Sequence, residues 1–252
     1  MAYGMYISAD GALIQGKRME VIANNMANVE TPGFKRDLAI FQARLAEGTI
    51  EDPTLEGTGA IEDLGGGVTF AGMATNFAVG PLKSTGIPTD MAIVGDGFFS
   101  VTKDGETLLT RAGNFQLSPT GQLVTADHGY PVLDEGGGPV TIDPELPWSL
   151  TGSGAITQNG AIVSNLSIMQ PASLGDLAKE GENLFRPLVA PQALPPEQRE
   201  VRQFYLEGSG VNPTLEMMEL IETSRAFEAN MNLIKHQDEM INTLISRLLQ
   251  GN

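Results

Sequence analysis

Cysteine is absent from the 252 residues. That excludes a disulfide scaffold, a thiolate metal site and a cysteine nucleophile. Histidine is nearly absent: His128 and His236 stand alone. Neither has a second histidine at ligand spacing, so both are expected at the surface rather than on a metal. Basic residues are few, 15 against 31 acidic, for a net charge of −16. Phosphate binding needs clustered Lys and Arg, so nucleic acid is excluded as a partner, as is docking on an anionic membrane. No apolar run approaches the roughly 18 residues that a spanning helix needs. The first sixteen residues carry no Lys or Arg, and Asp10-Gly11 interrupts their apolar stretch, so a cleaved secretory signal is not expected. Catalytic signatures are missing as well. There is no G-x-S-x-G elbow, and the glycine runs at 65–67 and 136–138 lack the Lys-Ser/Thr ending of a phosphate loop. No catalytic residue, metal or cofactor is expected.

What the chain does have is turn chemistry and an uneven charge. With 30 Gly, 15 Pro and 18% charged residues, it reads as turn-rich and β-containing. Residues 1–36 carry a net +1, residues 37–80 a net −6, residues 81–211 a net −8 and residues 212–252 a net −3. The acid sits in the middle of the chain. Ends that are nearly neutral and apolar are unusual, because chain ends are normally polar.

Both ends read as helices. Asn212 is a good N-cap, Pro213 suits the first helical position, and 214–249 contains neither Gly nor Pro. Alternating steps of three and four pick out Met217, Leu220, Ser224, Phe227, Met231, Ile234, Asp238, Ile241, Ile245 and Leu248. Eight of these ten are apolar, a heptad stripe along a helix about 54 Å long. A helix of that length needs a partner. The N-terminal segment, about 3–28, carries Met19, Ile22, Met26 and Val29 on a similar stripe, while Gly11 and Gly16 each weaken it by about 1 kcal/mol.

Residues 48–67 are acidic and glycine-rich and read as a linker. From Val68 to about Leu206 short β runs alternate with turns. Runs 91–94 and 98–101 read as two strands around the turn 95–97, and Asn159-Gly160 is a hairpin signal. Strands are also expected over 108–111, 122–125, 139–142, 155–157, 160–163 and 166–168, and 187–196 reads as an extended surface loop. The division is thus 1–36 helix and turn, 37–80 linker and return, 81–211 β-rich domain, and 212–252 helix, an α+β fold.

The motifs resemble a known family. The run 22–29, Ile-Ala-Asn-Asn-Met-Ala-Asn-Val, followed by Glu30-Thr-Pro-Gly-Phe-Lys-Arg36, looks like the N-terminal signature of bacterial flagellar rod and hook proteins. Segments 208–213, 216–221 and 224–230 resemble the family's C-terminal signature, and 80–86, 93–99 and 110–115 its shared middle. The resemblance implies that Asn24, Asn25, Asn28, Pro32, Gly33, Phe34, Asn212, Arg225, Phe227 and Glu228 serve signature and inter-subunit packing. Amide side chains near the helix end suit free backbone groups. Pro32-Gly33 suits a turn, and Phe34 suits an anchor back onto the helices. The family's terminal helices pair as a coiled coil lining a tube, with the β domain outward. Implied partners are copies of the chain, other rod and hook proteins and the flagellar export apparatus. The length favours a rod protein over a hook protein. Ser224 and Phe227 lean toward the proximal-rod rather than the distal-rod type. The reading from another class is a secreted acidic β-domain enzyme or glycan-binding module, which converging carboxylates would mark.

Overall fold

The computed structural model describes residues 2–44 and 67–250. The linker expected over 48–67 therefore lies, Gly67 apart, outside the described residues. The architecture is α+β: an N-terminal helix, a strand-rich middle and a C-terminal helix. Helix α1 spans Ala2–Ala27 and helix α2 spans Pro213–Gln250. The start of α2 follows from its cap. Asn212 Oδ1 accepts the N–H groups of Thr214 at 3.1 Å and Leu215 at 3.4 Å, and Pro213 occupies a position that needs no donor.

The described residues group into two units. One contains α1, α2 and a two-stranded ribbon of β1 (Arg36–Ala43) with β2 (Val68–Asn76). The other contains residues 28–36 and 75–211. Its strands continue as β3 (Leu82–Ser84), β4 (Met91–Ile93), β5 (Phe98–Lys103), β6 (Glu106–Thr110), β7 (Phe115–Leu117) and β8 (Leu123–Thr125). There follow β9 (Trp148–Leu150), β10 (Ala155–Gln158), β11 (Ala161–Asn165), β12 (Ile168–Gln170), β13 (Leu177–Gly181) and β14 (Leu184–Pro187). The last three are β15 (Gln192–Ala193), β16 (Val201–Gln203) and β17 (Tyr205–Glu207).

A six-stranded antiparallel sheet in the order β13-β14-β6-β5-β12-β15 carries the core. Three hairpins of this unit rest on residues that tolerate positive φ. Asp104 (φ 52°) and Gly105 (φ 83°) join β5 to β6, and Asn159 (φ 51°) and Gly160 (φ 81°) join β10 to β11 as expected. Glu182 (φ 53°) and Asn183 (φ 60°) make a third such turn, between β13 and β14. Met91, Phe99, Leu108, Leu123, Val140, Ile142, Ile156 and Leu166 fill one continuous buried cluster. Phe98, Leu109 and Phe185 form a second.

Three expectations change. Strands β4 and β5 do not form a hairpin, because Gly95 and Gly97 at positive φ redirect the chain. Strand β4 pairs instead with β16 near the far end of the chain. Residues 139–142 make only isolated bridges, though Val140 and Ile142 are fully buried, since those two side chains alone reach the core. The segment 187–196 is a surface loop only in part. It adds β15 to the sheet edge and buries Leu194.

At Gly113 a Cβ would overlap the Met91 carbonyl oxygen, while the Met91 N–H donates to the Gly113 carbonyl at 3.0 Å. Gly113→Ala should therefore lower the unfolding free energy by about 1–3 kcal/mol in urea melts, with unchanged stability refuting this tight approach.

Candidate functional site

Two features of the chain ends are built rather than incidental. The first is the seam between α1 and α2. A Cβ at Gly4 would meet the Gln237 amide and one at Gly11 would meet the Asn230 amide, while Asn25 Nδ2 donates to Glu216 Oε2 at 3.4 Å. Each step along α1 is matched by the same step back along α2, so the helices run antiparallel. The face of α2 toward α1 is Glu216, Leu220, Thr223, Phe227, Asn230, Ile234 and Gln237, at alternating steps of four and three.

Every second position on that face is polar. Thr223 Oγ1 and Gln237 Oε1 are buried without a hydrogen bond, as is Gln15 Oε1 on α1. The opposing positions Gly4, Ser8 and Gly11 on α1 are small. Polar layers of this kind specify register and weaken the pair. Of the expected stripe, Leu220, Phe227 and Ile234 lie on the seam. Met217, Met231, Ile245 and Leu248 are exposed. On α1 Ile22 is buried and Met19 and Met26 are half-buried, while Val29 lies beyond the helix and is half-buried. Arg225 and Glu228 are exposed.

The second feature is the junction where the signatures meet. Gly33 adopts φ 67°, and a Cβ there would overlap the backbone of Arg111 and Ala112, so only glycine passes. Its N–H donates to the Glu207 carbonyl at 2.8 Å. Lys35 is 0% exposed and Glu207 1%. Lys35 Nζ donates to Glu207 Oε1 at 2.6 Å and to the Ala78 carbonyl at 2.9 Å. The Gly80 N–H donates to the same Oε1 at 3.0 Å, and Arg111 Nη1 reaches Glu207 Oε2 at 3.3 Å. Arg111 Nη2 also donates to the Gly95 carbonyl at 2.6 Å, and its guanidinium lies over Phe98.

Burial pushes Lys35 below the ordinary lysine range, with Glu207 pulling it back and Arg111 adding to the fall. Burial likewise lowers Arg111, against the pull of Glu207 and Asp96. Lys35 and Glu207 were missed from sequence, because nothing in either motif says that they face each other. Only Lys35 stands inside a signature, and Glu207 immediately precedes the segment 208–213.

The other signature residues fall into place around these features. Asn25 holds the start of β1: its Oδ1 accepts the Asp37 N–H and its Nδ2 donates to the Asp37 carbonyl, both at 2.9 Å. Asn28 Oδ1 accepts the Thr31 hydroxyl at 3.1 Å, and Asn24 is exposed on α1. Asn183 Nδ2 donates to the Pro32 carbonyl at 2.6 Å. Phe34 is buried under Lys179 Nζ, 4.0 Å from its ring centre, within the strand-rich unit. The reason is that 28–36 folds with 75–211.

Both histidines are exposed. His128 stacks on Tyr130 beside Glu182, whose carboxyl is held below the usual range by hydrogen bonds from Lys103 and then Tyr130. Among the described residues no group of acidic or histidine side chains has metal-ligand geometry. Nor is any helix there long and apolar enough to cross a membrane.

The described residues thus hold two long terminal helices and a strand-rich unit in which the chain's signature motifs meet. Three family models match in order. The flagella basal body rod protein model covers 5–35, the flagellar hook protein FlgE/F/G D1 domain 92–164, and the flagellar basal body rod FlgEFG protein C-terminal model 202–247. The chain is 36% identical over 252 residues to the flagellar basal-body rod protein FlgF of Caulobacter vibrioides, covering 98% of each. It is 30% identical over 256 residues to FlgF of Mesorhizobium japonicum, covering 98% of this chain and 100% of the relative. It is 32% identical over 266 residues to the rod protein FlgG of Bacillus subtilis, covering 98% and 99%. The chain belongs to the flagellar basal-body rod protein family. It is a structural, non-enzymatic subunit of the flagellar basal body.

Three outcomes follow from this geometry. Gly16 has open space where a Cβ would go, whereas Gly11 faces Asn230 at 3.0 Å. Gly16→Ala should stabilise the helical unit by about 1 kcal/mol and Gly11→Ala by clearly less in urea melts; equal gains would refute the seam. Glu207→Gln leaves two buried cations facing an amide and should cost about 3–5 kcal/mol, and Lys35→Met, which leaves Glu207 with Arg111, should cost much less. The reverse order would contradict the junction.

The pH dependence follows from the sign of the Lys35 shift. The folded pKa lies below the unfolded 10.5, so the unfolded chain binds more protons between the two values. The penalty is complete below the folded pKa and is relieved as pH rises toward 10.5. Stability of the wild type relative to Lys35→Met should therefore increase with pH across that window, and a flat difference would refute it.

Proposed function

We propose that the chain builds the proximal part of the rod. Its terminal helices pair as a coiled coil around the axial channel, and its strand-rich body, 81–211, faces outward. The subunit joins copies of itself and other rod and hook proteins, and it transmits torque across the periplasm. The observation that carries this reading is where the apolar side chains of α2 go. The seam takes polar residues, and Met217, Met218, Ile221, Leu244, Ile245 and Leu248 are left exposed. Exposed apolar surface on that scale marks an interaction site. The ribbon of β1 and β2 adds Ile40, Phe70 and Met73 to it. A two-stranded ribbon is marginal by itself and gains from a neighbour.

The proximal position is supported by the FlgF relatives and by Ser224 and Phe227. A weak helical seam and a chain without cysteine suit passage through the flagellum's own export apparatus without a cleaved leader, followed by ordering on assembly. A secreted enzyme or glycan-binding module is not favoured, since the relatives are named as rod proteins along the whole chain. Deleting residues 217–249 should abolish incorporation of the chain into isolated basal bodies. Basal bodies that contain the truncated chain in normal amount would overturn the reading.

A further inference from the structure

Methionine carries all the sulfur of this chain: there are 11 methionines and no cysteine. The thioether is therefore its only readily oxidised sulfur. Its distribution is uneven. Among the described residues Met73, Met217, Met218, Met231 and Met240 are exposed, and all five belong to the unit of α1, α2 and the β1–β2 ribbon. The two methionines of the strand-rich unit are covered. Met91 is 0% exposed, and Met169 packs half-buried against the cluster of Phe98, Leu109 and Phe185. On α2, Met217, Met218 and Met240 are 47%, 62% and 52% exposed and lie off the face toward α1. Each has an exposed apolar neighbour three or four residues on, Ile221 for the first two and Leu244 for the third.

We infer that Met217, Met218 and Met240 form an oxidation site through which peroxide controls whether the subunit can be incorporated. This rests on the rod-subunit reading and adds a control to the exposed apolar face of α2. The chemistry needs only hydrogen peroxide. A sulfur lone pair attacks one peroxide oxygen, the S–O bond forms as the O–O bond breaks, and the second oxygen leaves as water with both hydrogens. Sulfur gives up two electrons and the peroxide takes them. The product, methionine sulfoxide, is polar and chiral where the thioether was flexible and apolar, and it disrupts interfaces rich in methionine. Its oxygen must be desolvated when the face is covered, with no partner assured, so association is weakened. Met91 is shut away from the oxidant, so the core of the strand-rich unit is untouched. Covered thioethers are shielded likewise, which makes the free subunit the sensitive state. Sulfoxide reductases reverse the change.

Two measurements test this. Purified full-length chain is treated with hydrogen peroxide, and sulfoxide at each methionine is followed by peptide mass spectrometry. Met217, Met218 and Met240 should oxidise at least roughly tenfold faster than Met91, because oxidation follows exposure. Equal rates would overturn the proposal. In cells, a chain with Met217→Gln, Met218→Gln and Met240→Gln, whose amides approximate the sulfoxide in length and polarity, is compared with one carrying leucine at the same three positions. All three side chains are exposed, so urea melts of both chains should match the wild type. The glutamine chain should reach isolated basal bodies at roughly a tenth of the wild-type amount, and the leucine chain at close to the full amount. A leucine chain that is incorporated no better than the glutamine chain would also overturn the proposal. Incorporation of the wild-type chain and its loss on deleting 217–249 are separate readings, so the rod-subunit reading can hold while this one fails.

Discussion

A single buried carboxylate, that of Glu207, ties together segments that the sequence keeps far apart. It takes Lys35 from the N-terminal signature, Arg111 from the middle one and the Gly80 N–H from the segment entering the sheet. It sits itself on β17, which leads to α2. Lys35 and Arg111 both bind this one carboxylate, so its loss would strand Lys35 and leave Arg111 only the neighbouring Asp96 and backbone carbonyls. Buried ion pairs add little to stability compared with apolar packing, and their best-supported role is to select one arrangement. Here the selected arrangement brings the segment leaving α1 and the segment entering α2 to one place in the strand-rich unit. Gly33, packed against the Arg111 backbone, leaves no room for an alternative path.

The helical unit follows the opposite logic. Its seam alternates apolar residues with Thr223, Asn230 and Gln237 and opposes them with small residues on α1. Such a seam defines register and direction but holds the pair loosely. Apolar side chains that would have strengthened it point outward. The helices therefore leave much of their apolar surface exposed rather than burying it against each other.

The strand-rich unit is self-sufficient by comparison. Its two buried clusters and its three primed turns satisfy their needs within the unit. Most of the negative charge lies on residues 37–211. Repulsion among exposed acids discourages nonspecific association there.

Helix positions, the Asn212 cap, the hairpin at 159–160 and the family itself were legible in the sequence, because each depends on residues within a few positions of one another. A cap needs an acceptor two or three residues before its donors, and a primed turn needs two residues that accept positive φ. Partner choice over long distances was not legible. The pairing of β4 with β16, the docking of Phe34 under Lys179 and the meeting of Lys35, Arg111 and Glu207 all join segments whose separate patterns are silent about each other. The rotation of α2 is the sharpest instance. Apolar periodicity alone aims Met217, Met231 and Ile245 at a partner helix, and all three are exposed. Whether that face meets α1 or the solvent depended on side-chain fit. The amides of Asn230 and Gln237 fill the notches left by Gly11 and Gly4, a match that exists only once the two helices lie side by side.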